Sequence, residues 1–551
     1  MFRNITLDDK KYFDKFNYQD YIGSELNFAN IYAWKEFDEL QIYISQIALI
    51  IKGKDFFFPP MAKTPEHFME AIKWIQNYCH ETDFPFSLHG VTIEMLPYIE
   101  EMGLIASHRP DFDEYIYNPE SLITYSGKKY HAKRNLVNQF VRTYEYEFLS
   151  YQKEYFDDVI TLIDDWTEQK GLTYEKKGII SILENLDAVG CFCDCLFIDG
   201  KLCGFSIGTI HNNAGIVLFE KANPNYIGIY PVIVQKFSEK HFKNLQFINR
   251  QEDMGIENLK ASKLSYRPTC YVNKYQVTYD LNTQLKLLYK SSFNDSNAYL
   301  DYFFNKKIKQ VKYLLKKNNI ASVLYYRQHD LIIKDSSYPS VFLFAIATAK
   351  YYRRQGYMRQ LITTTFNELY DNYIFAYLHA DVLNFYERFG FIYYGATFMV
   401  PNVIKLSSET NLEKINEIYN SFTQNFDVST FRDLSYFINV NEEVKADNGY
   451  VKLLENQQGY VIHDGKGIME YLDGENFTNN YNYNMIRIIN VQRFLSKFKF
   501  TPSYNLQISD DLIPENNISI FVNEGPTKII TIDEFTKIVF GNLKSLSLEM
   551  Y

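Results

Sequence analysis

Three stretches of the chain repeat one plan of apolar and polar positions: a strand, a tight turn, a second strand, then a further element. In CLFIDGKLCGFSIGTIHNNAGIVLFEKA (195–222), alternating apolar runs flank Asp199-Gly200, a strong hairpin signal. A helical pattern follows in YPVIVQKFSEKHF (230–242), with Pro231 where a helix can start. SVLYYRQHDLIIKDSSYPSVFLFAIATA (322–349) repeats the plan, with Phe342 to Ala347 read as a buried strand and MRQLITTTFNELY (358–370) as its helix. YVKLLENQQGYVIHDGKGIMEYL (450–472) closes without a comparable helix. Strand meanders with helices packed back on the sheet predict an α+β fold.

A chain of 551 residues is too long for one core. Polar stretches near 280–292, 405–410 and 481–484 mark the expected boundaries. They give domains at 1–285 (split near 120), 286–405, 406–482 and 483–551.

Composition changes this picture little. Apolar residues at 46% and charged residues at 23% are ordinary for a globular protein, and 47 Tyr with 44 Phe fit half-buried faces. The net charge of −10 argues against a protein that coats nucleic acid, and fits a cationic acceptor. No signal-type run opens the chain, and no stretch nears the roughly 18 apolar residues of a membrane span. A cytoplasmic protein without an integral membrane segment is expected. Six Cys are no disulfide framework; Cys191, Cys193 and Cys195 alternate onto one strand face as free thiols, and no metal site is expected. Gly204–Gly208 matches the nucleophile-elbow pattern G-x-S-x-G, but it falls inside a strand, where that motif does not work.

The informative run is FLFAIATAKYYRRQGYMRQLI. A buried strand turns through Arg353, Arg354, Gln355, Gly356, Tyr357 and Met358 into a helix. Such a turn aims main-chain N–H groups at an anion, Gly356 allows close approach, and Arg353, Arg354 and Arg359 add charge. The run resembles the acetyl-CoA loop R/Q-x-x-G-x-G/A of GNAT acetyltransferases, departing from it at Met358. Further on, NFYERFGF (384–391) resembles the second GNAT signature. The resemblance implies acetyl-CoA as cofactor, held by the loop, by Asn384 and by the main chain of Ile346, Ala347 and Thr348. It implies Tyr386 as general acid toward the CoA thiolate. With MIRIINVQRFL (485–495) and IITIDEFTKIVFG (529–541), the C-terminal half is similar to acetyltransferases of the enhanced intracellular survival type. That implies a small sterol-carrier-like α/β lobe at the C-terminus and a chain-terminal carboxylate, here on Tyr551, as base.

Residues 1–280 resemble the C-terminal domain of phosphatidylglycerol lysyltransferases and its stand-alone relatives. The matching stretches are ELNFANIYAWKE (25–36), LHG (88–90), SGKKYHAKRN (126–135), FEKANPNYIGIYPVI (219–233) and INRQEDMGIENLKASKLSY (248–266). The resemblance implies two GNAT-like lobes, so the whole chain is expected to be a tandem of such lobes, with mixed sheets and flanking helices. It implies aminoacyl transfer from tRNA. Lys128, Lys129, His131, Lys133 and Arg134 could meet phosphates, or be a solvated helix face. Glu220, Lys221, Asn249, Arg250, Glu252 and Asp253 could line a pocket, or form a salt-bridged network. Tyr226–Tyr230 stands where a CoA loop would be, which argues against coenzyme A in this half.

The expectation is therefore an N-acetyltransferase taking a small-molecule or peptide amine, fused to an aminoacyltransferase-like half. Two alternatives stand: aminoacyl-tRNA-dependent transfer as the main activity, and a non-catalytic small-molecule binding protein.

Overall fold

The computed structural model describes the chain apart from residues 19, 171–173, 308, 381, 383, 395–403, 475–476, 480–483, 542 and 544–551. It divides into two compact units, Met1–Asp280 and Leu281–Tyr551, each α+β with mixed sheets and flanking helices.

The first unit opens with a small sheet built on Gln41–Ile44 and Ala48–Lys52, backed by the helix Pro65–Thr82. Thr64 caps that helix, accepting from His67 N–H at 3.3 Å, and Pro65 fills the first turn, where no N–H is missed. The helix buries Phe68, Ala71, Ile72, Ile75 and Cys79 on one stripe. A seven-stranded sheet follows, in the order Cys270–Val272, Glu114–Tyr117, Phe247–Asn249, Ala214–Ala222, Lys201–His211, Cys191–Ile198, Tyr146–Ser150. Only Ala214–Ala222 and Phe247–Asn249 run parallel in it.

The passage between these sheets differs from a single break near 120. Glu114–Tyr117 already belongs to the seven-stranded sheet, and Tyr275–Thr278 returns to pair with Leu88–Val91 and Ile105–His108. A returning strand is a non-local contact, which local polarity does not announce.

Asp199 and Gly200 both have positive φ, 50° and 75°, as the hairpin turn requires. The G-x-S-x-G residues lie in the middle of the strand Lys201–His211. Their small size serves packing: a Cβ on Gly204 would lie 2.6 Å from Ile233 Cδ1, and one on Gly208 2.9 Å from Phe237 Cε1. Both contacts come from the helix Ile229–Phe237, which therefore sits close on the sheet. Cys191, Cys193 and Cys195 are buried free thiols.

In the second unit a six-stranded sheet runs Gln310–Lys316, Asn319–Gln328, Ser340–Thr348, Phe375–His379, Asn484–Ile488, Ile392–Tyr393. Its one parallel pair is Ser340–Thr348 with Phe375–His379, joined through the helix Tyr357–Leu369. Asn484–Ile488, expected to open a separate last lobe, completes this sheet instead. It is buried throughout, a strand covered on both faces, and residues 481–483 before it lie outside the described residues. The third meander forms a four-stranded sheet from Tyr450 to Asn479, packed with the helices Leu412–Thr423 and Leu434–Ala446. Asn505–Ser509, Ser519–Ile520 and Thr527–Thr531 form a last small sheet beside the helix Ile532–Phe540.

Candidate functional site

In the second unit, the parallel ladder between Ser340–Thr348 and Phe375–His379 ends at Leu343 opposite Leu378, while the first strand continues to Thr348. The antiparallel register on its other side slips at the same place. Val323 faces Ala347 and Tyr325 faces Phe344, so Ala345 and Ile346 together oppose Leu324. This is a β-bulge, with Ala345 at φ +47°. Left-handed φ on a non-glycine residue is a strained conformation of the kind that collects at functional sites. Phe344, Ala345 and Ile346 are half-buried within an otherwise buried strand. The parallel strands thus part at the bulge and open the sheet beside it. The carbonyls of Ala347 and Thr348 already accept from Ser322 Oγ at 3.0 Å and Arg353 Nε at 3.1 Å.

The chain then reaches the loop. Arg353, Arg354, Gln355 and Arg359 are exposed. Arg354 at φ +62° and Gly356 at φ +86° turn the main chain left-handed twice before the helix starts at Tyr357. Gly356 caps that helix without a side chain, and its carbonyl accepts the Gln360 N–H at 3.0 Å. The N–H groups of Tyr357, Met358 and Arg359 fall in the first turn, where helix geometry supplies no acceptor. Together with the positive end of the helix they suit an anion. Among the described residues, a Cβ built on Gly356 meets nothing within 4 Å. Tyr386 starts the short turn Glu387–Phe389, with ring centroids 5.0 Å from Phe385 and 6.2 Å from Phe391. It packs on the same apolar cluster as Ile346 and Met358. Asn384, at φ +60°, donates its N–H to Tyr393 Oη at 2.6 Å. Tyr551 lies outside the described residues.

The first unit repeats the parting of parallel strands. Ala214–Ala222 and Phe247–Asn249 pair only to Ile216 opposite Asn249, and the longer strand runs on. The helix Ile229–Phe237 begins at Gly228, φ +92°, in the place Gly356 holds in the second unit. Here the position is closed. A Cβ on Gly228 would overlap the Leu136 carbonyl oxygen and lie 3.1 Å from Phe140 Cβ, both from the helix His131–Thr143.

The basic cluster divides. Lys128, Lys129 and His131 are exposed, whereas Arg134 Nη1 donates to the Tyr125 and Gly127 carbonyls, the latter at 2.8 Å. The Lys133 ammonium sits 3.6 Å over the Tyr266 ring, and burial, aided by Arg250, pushes it down to about 8. Arg250 pairs with Glu220 at 2.9 Å and stacks over Tyr266 at 4.5 Å. Burial opposes its charge, but Glu220 holds it above the usual guanidinium range. Lys221 is paired with Glu175. Asp253 accepts from Tyr115 Oη at 2.5 Å and from Gly255 N–H at 2.8 Å.

Asn249 leads to groups that no sequence pattern singled out. Its Nδ2 donates to the Ile22 carbonyl at 2.8 Å and to Glu114 at 2.9 Å. Glu114, wholly buried, also accepts from Ser24 N–H at 2.9 Å and from Ser24 Oγ. The Lys274 ammonium, 1% exposed, lies 3.5 Å from Glu114, touches Glu25 and meets Tyr21 Oη at 3.1 Å. Burial works against the charge on Lys274, yet Glu114 and Glu25 hold it well above its ordinary value. Burial, then the Glu114 charge, raise both Glu252 and Glu25, the latter to about 8. Lys263 donates to the Arg250 and Gln251 carbonyls and is pushed down to about 8 by burial. Glu25 and Lys263 stand inside stretches that carried the family resemblance; Glu114 and Lys274 stand outside them.

Among the described residues, no cluster of His, Cys, Asp and Glu is suited to a metal ion, and no helix is long and apolar enough to cross a membrane. Comparison with known proteins agrees with the division into two parts. Residues 17–278 match the family profile "Phosphatidylglycerol lysyltransferase, C-terminal", and residues 277–394 match "Acetyltransferase (GNAT) domain". An uncharacterized protein of Mycoplasmoides gallisepticum is 23% identical over 233 residues, covering 40% of this chain and 74% of that protein. A conserved protein of unknown function from Bacteroides thetaiotaomicron is 27% identical, covering 51% of this chain and 99% of its own, at a TM-score of 0.48. L-PGS from Bacillus licheniformis is 14% identical over 51% of this chain and 95% of its own, at a TM-score of 0.38.

Proposed function

For an acyltransferase-type chain that matches a phosphatidylglycerol lysyltransferase C-terminal domain over residues 17–278 and a GNAT domain over 277–394, we propose acetyl-CoA-dependent N-acetylation of an amine in the second unit. The observation that carries this reading is the open helix start at Gly356 beside the parted, bulged strand at Ala345–Ile346. The first-turn N–H groups of Tyr357, Met358 and Arg359, with Arg353 and Arg354, suit a pyrophosphate. The bulged main chain at Ile346 suits the amides of an extended arm, as added strands suit an open sheet edge. Acetyl-CoA, when bound, supplies an activated thioester. Tyr386 is the acid of this reading, its phenol giving a proton to the departing thiolate. Thiol release, followed with a disulfide dye over a panel of polyamines, arylamines and peptide N-termini, tests the proposal. Amine-dependent release supports it; none with any amine counts against it.

A second reading belongs to the first unit: aminoacyl transfer from tRNA. Two observations favour it over coenzyme A there. The helix start at Gly228 is closed by Leu136, and Lys128, Lys129 and His131 stay exposed at the start of the helix that closes it. Salt-sensitive binding of charged tRNA, lost when Lys128 and Lys129 become Ala, is the expected result.

A further inference from the structure

We propose that Glu25 is the general base of an acyl-transfer centre in the first unit, with Lys274, Tyr21 and Glu114 as its positioning residues. The inference rests on the second reading above, that this unit transfers an acyl group from an ester donor.

Two carboxylates share one buried ammonium. Lys274 serves both Glu25 and Glu114. Their surroundings differ. Glu114 takes Ser24 N–H, Ser24 Oγ and Asn249 Nδ2 besides Lys274, so its charge is fully met. Glu25 takes Tyr21 Oη at 3.0 Å and Lys274, both on Oε2. Its Oε1 has no hydrogen-bond partner among the described residues, and its side chain is 17% exposed while those of Lys274 and Glu114 are at most 1% exposed. One oxygen of the cluster is thus left to take a proton from outside it.

Two details suit this use. Gly90 at φ +82° brings the main chain so close that a Cβ there would lie 3.3 Å from Glu25 Oε1. And Asn249, which orients Glu114, is the last residue of the strand at which the parallel pair parts. Glu25 itself stands in the segment before the helix Phe28–Trp34. The charged and titratable groups that face it are Lys274, Glu114, Tyr21 and Glu252; burial and Glu114 lift it to about 8, against Lys274.

In the step itself, a hydroxyl or amine acceptor gives its proton to Glu25 Oε1 as its oxygen or nitrogen attacks the ester carbonyl carbon. The new C–O or C–N bond forms, the C–O bond to the donor alcohol breaks, and Glu25 returns the proton to the leaving alkoxide. No oxidant or metal is needed.

The full-length protein, given bulk aminoacyl-tRNA charged with a labelled amino-acid mixture and a panel of hydroxyl and amine acceptors, tests the proposal through loss of label from tRNA between pH 6 and 9. Expected is an acceleration that rises with a midpoint near pH 8, falls at least 100-fold in Glu25→Gln and returns in part in Glu25→Asp. Wild-type acceleration that Glu25→Gln leaves unchanged overturns the base while sparing the aminoacyl reading. No wild-type acceleration overturns both. A second measurement reads the proton directly. The folded value lies above the unfolded one, 4.5 to about 8, so the folded state binds more protons and wild-type stability falls as pH rises through that window. The thermal midpoint of Glu25→Gln should gain on wild type from pH 5 to 8 and then level off. A difference independent of pH contradicts the proposal.

Discussion

The carbonyl of Leu136 occupies the space where a side chain at Gly228 would begin. The helix His131–Thr143 therefore lies across the start of the helix Ile229–Phe237, and main chain there meets main chain. Gly356 stands at the corresponding start in the second unit, with nothing among the described residues within 4 Å of the point a Cβ would occupy. One helix start is covered and the other open, and the proposed division of chemistry rests on that difference.

Tyr386 gives a kinetic prediction. Tyr386→Phe keeps the ring on Phe385 and Phe391 and removes the phenolic hydroxyl. A general acid contributes about 10²- to 10⁴-fold, so kcat for acetyl transfer should fall by at least about 100-fold. Acetyl-CoA affinity should stay within about twofold by titration. Unchanged kcat would remove Tyr386 from the chemistry.

The strand that carries G-x-S-x-G predicts opposite outcomes at neighbouring positions. Ser206 Oγ is buried without a hydrogen-bond partner among the described residues, so Ser206→Ala should leave stability within about 0.5 kcal/mol and all transfer activity intact. Gly204→Val drives a side chain into Ile233 and Ala222, and should cost about 1–3 kcal/mol in denaturant unfolding.

His211 sets a pH limit on the first unit. Burial pushes its imidazole from 6.5 down to about 4, against the pull of Asp14 and Glu114. Between those values the unfolded chain binds more protons than the folded one, so stability is lost as pH falls through the window. His211→Phe, which keeps a ring beside Tyr21, should flatten the fall in thermal midpoint between pH 6.5 and 4. An unchanged slope would place the acid sensitivity elsewhere.

Arg432 and Glu470, both 0% exposed, pair at 2.9 Å, with Arg432 between the rings of Tyr419 and Tyr436. Glu470 also accepts from Tyr460 Oη at 2.5 Å. Removing one partner leaves a buried charge, so Glu470→Gln should cost about 3–5 kcal/mol. Adding Arg432→Met should recover most of that loss in urea unfolding.

What could be read from sequence was what lies contiguous in it. Arg353 to Met358, the strand before them and the helix after them follow one another in the chain, so their order announced the strand–turn–helix. The hairpin at Asp199-Gly200 and the buried thiols at Cys191, Cys193 and Cys195 were legible for the same local reason. The bulge at Ala345–Ile346 was not, because no glycine or break in alternation marks it. Nor were Glu25, Glu114 and Lys274 as a group. They meet because Lys274 immediately precedes Tyr275–Thr278, the strand that returns to the opening sheets, a pairing set by tertiary structure. Asn249, Glu252 and Asp253 were singled out as a cluster, but their partners were not.

Calorimetric titration of the full-length protein with acetyl-CoA, beside Gly356→Val, tests the central claim most directly. Valine at φ +86° costs about 1–2 kcal/mol and puts a branched side chain at the open helix start, so the protein should stay folded and lose the ligand. One site per chain, abolished in the variant, is the predicted result. Two sites, no binding, or equal affinity in the variant would contradict it.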